Sequence, residues 1–375
     1  MDQTTTAPDY EAEYNNRARV PEHPGIIAGW QADAAAYRAT APCELGIPYG
    51  EGERQSYDLF KPEAARGNAL VMFIHGGYWQ ALGRSFFSHM ARGLNRLGLP
   101  VAVVGYDLCP QVHLGHIVWE LQQAAAALWR RYGLPVVASG HSAGGHLSAC
   151  TLATNWHNVD PDLPDRLVPA AYGISGLYNL KPLTETSINT ALGLDMAAAE
   201  RESPLFWPAP SRLTMDAVVG GAESDEYHKQ SRRLVDVWGL EGVQTRYEEI
   251  EGANHFTVIA GLADPENPMT RRIAEGGRLP LPRRTATRSA TPLRSAAVQT
   301  FFVEIKCKLG KTYEVASELA DREIASEIYS TAGNYDILAK FHVAADVDIG
   351  HFVAQKVQSI PEIADTHTII TFKAF

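Results

Sequence analysis

Val136, Val137 and Ala138 run directly into Gly140-His141-Ser142-Ala143-Gly144, and small residues then recur at helical spacing as far as Cys150. An apolar run, a glycine-framed turn and a helix in immediate succession restrict the possible folds more than any other feature of this chain. The pattern is G-x-S-x-G, a strand-to-helix elbow with a serine at its apex. Glycine stands at 140 and 144 because a side chain there would collide with the adjoining strand and helix. Such an elbow holds Ser142 at strained backbone angles with its hydroxyl over the sheet edge. It also places the N–H of Ala143 at a helix start, where donors lack partners and the helix dipole favours an anion. A glycine-rich loop with an incidental serine is the alternative, so the residues that accompany the elbow decide the matter.

A serine hydroxyl is a weak nucleophile without a base, and the base needs an acid to orient it. Where a serine elbow serves a mostly parallel sheet, the chain order is serine, then an acid after a late strand, then histidine after the last strand. His255, in Gly252-Ala253-Asn254-His255-Phe256, follows the apolar end of a strand at Ile250 and takes the base position. His146, one turn into the elbow helix, His157, in a loop, and His228, in a helix, are weaker competitors. For the acid, Glu223 lies at the end of the strand and turn formed by residues 216–222. Asp225 is the alternative, although an acid at the start of a helix also has a purely structural explanation. His75-Gly76-Gly77-Tyr78-Trp79 follows the apolar run Leu70–Ile74. Consecutive glycines allow the backbone to approach a developing negative oxygen, so this motif and the N–H of Ala143 are the expected oxyanion site. His75, Gly76 and Trp79 are expected to line the substrate pocket, with Tyr78 and Trp79 at its mouth, where they could stack on an aromatic substrate.

The spacing of the apolar residues places these motifs in an α/β fold. Continuous apolar runs at 70–74, 101–104, 136–138, 167–174 and 215–219 read as strands covered on both faces. Helical patterns over 26–38, 86–97, 116–131 and 226–238 alternate with them, which implies a mostly parallel sheet with helices on both faces. Residues 1–24 read as an arm on the body of the domain. Residues 176–212, irregular and rich in Pro, Asn and Thr, suit a cap over a site. This first domain spans residues 1–275.

Composition then shifts. Between Arg271 and Val298 stand seven arginines and a single acid, Glu275, with prolines at 280, 282 and 292. Residues 276–298 therefore read as a basic, disordered linker, or as a translated junction between two genes. From residue 299 to 375 the pattern is strand, helix, strand, strand, helix, strand, the order of an α+β ferredoxin-like sandwich.

A net charge of −10 argues against nucleic acid or an anionic membrane as the main partner. The opening residues form no secretory signal, and no apolar stretch has the length to cross a bilayer, which points to a cytoplasmic protein. Cys43, Cys109, Cys150 and Cys307 have no metal-type spacing and read as thiols of a reducing compartment. No metal motif or phosphate-type glycine loop stands in the sequence, so a hydrolase without cofactor is the economical expectation.

The segments EYNNRARVPEHP at 13–24, HGGYW at 75–79, GHSAGGH at 140–146, VVGGAESDEYHKQS at 218–231 and GANHF at 252–256 together resemble the α/β-hydrolase kynurenine formamidases, or arylformamidases. That resemblance implies an α/β-hydrolase fold over residues 10–275 and hydrolysis of N-formyl-kynurenine to kynurenine and formate in tryptophan breakdown. It further implies that Gly77 and Tyr78 supply oxyanion N–H groups. By the flanking E-Y-H-K-Q-S, the family's acid falls on Glu223, where Asp is commoner, and this departure keeps Asp225 in play. General carboxylesterases share every catalytic part.

Residues 299–375 resemble the ligand-binding, dimerising module of Lrp/AsnC regulators through Leu319-Ala320, Thr331-Ala332-Gly333-Asn334-Tyr335-Asp336 and Ile360-Pro361. The helix-turn-helix that precedes this module in such regulators is replaced by the hydrolase, so no DNA reading is implied. The resemblance does imply a homo-oligomer and an amino-acid effector, with Gly333 and Asp336 as contacts. A ligand-sensing assembly protein with a vestigial hydrolase is the rival reading.

Overall fold

The computed structural model describes residues 8–276 and 298–370, apart from residues 323, 326, 332, 345 and 346. The chain divides into two compact units, residues 1–283 and 284–375. The expected linker, 276–298, lies almost wholly outside the described residues.

The first unit is built on an eight-stranded sheet. Its strands are β1 (Cys43–Pro48), β2 (Ser56–Phe60), β3 (Leu70–Ile74), β4 (Val101–Val104), β5 (Val136–His141), β6 (Ala170–Ile174), β7 (Thr214–Gly220) and β8 (Gln244–Ile250), in the order β1-β2-β4-β3-β5-β6-β7-β8. β1, β2 and β4 pair antiparallel, and every pair from β4 to β8 is parallel. The continuous apolar runs follow from this arrangement, because successive residues enter opposite cores. Leu70, Met72 and Ile74 of β3 face one cluster, which contains residues of the helices Leu114–Tyr132 and Asp225–Leu240. Val71 and Phe73 face the other, which contains Trp30 from the helix His23–Thr40 and Ile273 from the helix Pro268–Gly276.

The segment expected as one helix over 86–97 is instead two 3₁₀ turns, Arg84–Phe86 and Ser88–Met90, followed by a helix over Ala91–Arg96. Tertiary contacts override its helical spacing here. Arg38 reaches from the helix His23–Thr40 to the carbonyl of Ser85 and, at 2.7 Å, to the hydroxyl of Ser88. Residues 176–212 form only short helical pieces, such as Lys181–Glu185 and Met196–Arg201.

The second unit is a four-stranded antiparallel sheet of β9 (Val298–Cys307), β10 (Glu327–Ser330), β11 (Ile337–Ala344) and β12 (Ile363–Ile370), in the order β10-β11-β9-β12. Phe301, Val303 and Ile305 alternate onto one face of β9 and share a core with Val315 and Leu319 of the helix Thr312–Asp321. The strand order and the two crossing helices are those of the ferredoxin-like sandwich. The second crossing, read from the sequence as one helix over 348–360, is an α-helical turn over Ile349–Phe352 that widens into a π-turn over Val353–Val357.

Candidate active site

β5 ends in the elbow. Ser142 has φ 58° and ψ −118°, a strained combination for a residue with a side chain. The surroundings over-determine it: the Ser142 N–H donates to the carbonyl of Ile174, and the Ser142 carbonyl accepts from Gly145 and His146. Gly144 is where close approach forbids a side chain, since a Cβ would lie 2.0 Å from the Ile74 carbonyl oxygen. The helix Ala143–Leu152 starts immediately behind the serine, with its positive end towards it.

The structure brings Ser142, His255 and Glu223 into one hydrogen-bonded line. His255 Nε2 is 3.0 Å from Ser142 Oγ, and His255 Nδ1 is 2.6 Å from Glu223 Oε2. All three residues are buried. A carboxylate can only accept, so Nδ1–H donates to Glu223 and Nε2 is left to accept from the serine hydroxyl. Glu223 is itself fixed, because its Oε1 accepts from the Gly220 N–H at 2.7 Å and from the Ser175 hydroxyl. Asp225 is not part of the line. It is the first residue of the helix Asp225–Leu240 and is exposed, the structural position expected of a first-turn acid.

After β3 the chain turns through three consecutive residues of positive φ: Gly77 at 118°, Tyr78 at 52° and Trp79 at 58°. Gly77 is required, because a Cβ there would lie 2.2 Å from the Ala81 carbonyl oxygen. Among the described residues, no acceptor takes the N–H groups of Gly77, Tyr78 or Ala143. A narrow cavity of about 30 Å³ opens beside Ser142 and His255. Gly76, Gly77 and Tyr78 form part of its wall, and Ile27, Trp30, Leu82, Phe87 and Phe256 supply the apolar remainder.

Two expected pocket residues do not line this cavity. The run of positive φ turns the Trp79 indole away into the core, where it meets the His146 ring edge-on at 5.1 Å. His75 is buried between the rings of Tyr106 and Phe87, at 4.2 and 5.8 Å, and its Nδ1–H donates to the Gly76 carbonyl at 2.7 Å. Burial pushes its pKa down to about 3. The expected role of both is thus corrected to one in the core.

The competing histidines are engaged elsewhere. His146 Nε2–H donates to the Glu202 carbonyl at 2.7 Å, and burial lowers its pKa to about 4. His157 pairs with Asp165 at the surface, and His228 meets the Tyr247 hydroxyl.

Several residues at the site were not found by reading motifs. His141 Nε2–H donates to the His255 carbonyl at 2.8 Å, and burial holds this imidazole far below its ordinary pKa, hence neutral. Tyr227 lays its ring 4.8 Å from that of His255. Asn16 joins the two sides of the site: its Nδ2 donates to the hydroxyls of Tyr78, at 2.8 Å, and Tyr227, at 2.9 Å. The Tyr78 hydroxyl donates in turn to the Tyr14 carbonyl. EYNN at 13–16 was legible as a segment, but only the fold shows what it touches.

A separate group, Asp107, His116 and Glu120, offers three ligand atoms within 4.8 Å of one another. The oxygens of buried Glu120 already accept from Gln55 Nε2 at 2.7 Å and the Asp107 N–H at 2.8 Å, which makes it a strut between the helix Leu114–Tyr132 and the loops that precede β2 and follow β4. In the second unit, Gly333 is exposed. Asp336 uses its carboxylate to accept from the Cys307 N–H at 2.8 Å and lies 3.5 Å from Lys306 Nζ, so it ties down the end of β9.

A nucleophile-base-acid line beside unclaimed N–H donors can run acyl transfer, and similarity to known proteins points the same way. Residues 71–259 match the alpha/beta hydrolase fold family, and residues 300–375 match the Lrp/AsnC ligand binding domain. A kynurenine formamidase of Salmo salar is 31% identical over 245 residues, covering 62% of this chain and 82% of that protein. HTH-type transcriptional regulator FL11 of Pyrococcus abyssi is 32% identical over 116 residues, 31% of this chain and 74% of that protein. A solved structure from Silicibacter, provisionally assigned as a thioesterase, has a TM-score of 0.63 and 34% identity, covering 72% of this chain and 100% of its own. Among the described residues, no helix is long and apolar enough to cross a membrane. The chain belongs to the alpha/beta hydrolase family, with kynurenine formamidases among its relatives, and carries a Lrp/AsnC ligand-binding domain in its C-terminal unit.

Proposed function

We propose that this chain hydrolyses an N-formyl amide, N-formyl-kynurenine, to kynurenine and formate. The observation that carries the reading is the Ser142–His255–Glu223 line at the wall of a cavity of about 30 Å³. The space beside Ser142 is narrow and mostly apolar, which suits a small acyl group such as formyl. The 31% identity to a kynurenine formamidase supports the same substrate.

In the first half-reaction, Ser142 Oγ attacks the formyl carbon while its proton passes to His255 Nε2. Glu223 stabilises the imidazolium, and the N–H groups of Gly77, Tyr78 and Ala143 receive the oxyanion. The C–N bond then breaks as Nε2 returns the proton to the departing nitrogen. Water next attacks the formyl-enzyme, again with His255 as base, and formate leaves as Ser142 regains its proton.

The test compares turnover of N-formyl-kynurenine with that of p-nitrophenyl acetate, alongside fluorophosphonate labelling. Turnover of the formamide, with labelling lost in Ser142→Ala, is the expected result. Hydrolysis of the ester alone would leave a general carboxylesterase, and no labelling of the intact protein would leave a vestigial hydrolase.

For the second unit, we propose self-association and binding of a small amino acid, supported by the match of residues 300–375 to the Lrp/AsnC ligand binding domain. Sedimentation of the full chain should show an oligomer whose order falls on removal of residues 299–375, with hydrolysis largely retained. A monomeric full chain would refute the self-association.

A further inference from the structure

Arg17 stands where two hollows meet. It lines the narrow cavity beside Ser142, and with Asn15, Gln80 and Ser187 it lines an outer pocket of about 270 Å³. Tyr78 is on the wall of both, so the outer pocket continues the inner one. The inner space is the narrower of the two, which leaves the outer pocket, past Arg17, as the room for the departing part of a substrate. The side chain is exposed, and among the described residues no carboxylate or other acceptor holds its guanidinium. Glu11, which touches two residues of this wall, is already used: it accepts from the Ser187 N–H at 2.7 Å, the Ser187 hydroxyl at 2.8 Å and Asn15 Nδ2 at 2.8 Å. A chain of net charge −10 repels anions at long range, so an unshared cation at the mouth of the site sets a local preference against that background.

We propose that Arg17 binds a carboxylate on the leaving-group side of the substrate, so that the site favours small acyl amides and esters whose departing group is anionic. The proposal rests on the reading of Ser142 as nucleophile. A guanidinium offers a planar fork of donors that matches a carboxylate with two parallel hydrogen bonds, which a single ammonium cannot reproduce. Gln80, Asn15 and Ser187 add neutral polar groups around it.

The test uses the full chain with two acetyl esters that differ in one charge, 4-acetoxybenzoate and its methyl ester. The quantity read is the ratio of their kcat/KM values, which is independent of the fraction of active enzyme. Arg17→Ala should lower the anion-to-neutral ratio by about 10- to 100-fold, chiefly through KM. Arg17→Lys should restore part of it, and in the wild type the ratio should fall as salt rises. A ratio that moves less than about twofold in Arg17→Ala, while both esters still turn over, overturns the carboxylate site and leaves the hydrolase reading intact. A wild type that hydrolyses neither ester overturns the preference for anionic leaving groups, and absence of labelling at Ser142 as well overturns the hydrolase reading with it.

Discussion

Glu223 Oε2 lies 2.6 Å from His255 Nδ1, whereas Asp225, two residues further on, points to solvent from the first turn of a helix. The two acids are close in sequence and unlike in environment, which predicts unlike mutants. Glu223→Gln replaces an acceptor with a group that can present N–H to Nδ1, which favours the wrong tautomer of His255. We expect kcat to fall by about 10³–10⁴-fold. Asp225→Asn should leave kcat within about twofold, because that carboxylate touches no reacting group. Equal losses in the two variants, measured on the same acyl substrate, would remove Glu223 from the line.

Asn16 predicts a different kind of defect. Its amide holds the hydroxyls of Tyr78 and Tyr227, and so fixes the loop that supplies N–H donors relative to the ring beside His255. Asn16→Ala leaves two buried hydroxyls short of a partner and should cost about 1–3 kcal/mol in urea unfolding. Because the Tyr78 backbone is displaced with its side chain, kcat should fall more than KM rises. A variant equally destabilised but with unchanged kcat would show that the network serves folding alone.

Asn16 also marks where the sequence stopped being informative. The strands were legible because β3 to β7 are covered on both faces and therefore read as apolar runs, and the elbow was legible because its glycines answer to collisions with the backbone carbonyls of Gly144 and Ile74. Asn16, His141 and Tyr227 are polar residues with no period, brought to one place by pairings over more than 60 positions, and no local signal announces that. Trp79 shows the converse: it belongs to the right motif, yet a positive φ at its own backbone sends the side chain into the core. The helical spacing of 86–97 was real but yielded to contacts from Arg38.

Acidification should unfold the first unit through its buried histidines. His75, His141 and His146 are enclosed, and burial lowers the pKa of each, to about 3 for His75 and about 4 for His146. In the unfolded chain each titrates near its ordinary value of about 6.5, so the unfolded state binds more protons as pH falls below that value. Stability is therefore fullest above pH ~6.5 and is lost as the pH falls towards the folded values. At about pH 5 these three residues should take up close to three protons on unfolding. His146→Gln should lower that uptake by about one, read from the slope of the urea midpoint against pH. A slope unchanged by this substitution would mean that His146 is protonated in the native state.

The arginine-rich run begins inside the first unit, with Arg271 and Arg272 on the helix Pro268–Gly276. Arg272 Nε is 2.6 Å from Asp216 Oδ2, and Nη2 is 3.2 Å from Oδ1, a two-pronged pair that reaches a buried acid on β7. Among the described residues, the side chain of its neighbour Arg271 meets only Glu266, with both side chains largely exposed. The two substitutions should therefore separate cleanly. Arg272→Ala strands a buried carboxylate and should cost about 2–4 kcal/mol, discounted from the fully buried case because the guanidinium is one-third exposed. Arg271→Ala should cost no more than about 0.5 kcal/mol. Adding Asp216→Asn to Arg272→Ala should recover part of the loss, since a neutral amide is cheaper to bury than an unpaired charge. Equal urea midpoints for the two single variants would mean that Asp216 finds its compensation in solvent rather than in Arg272.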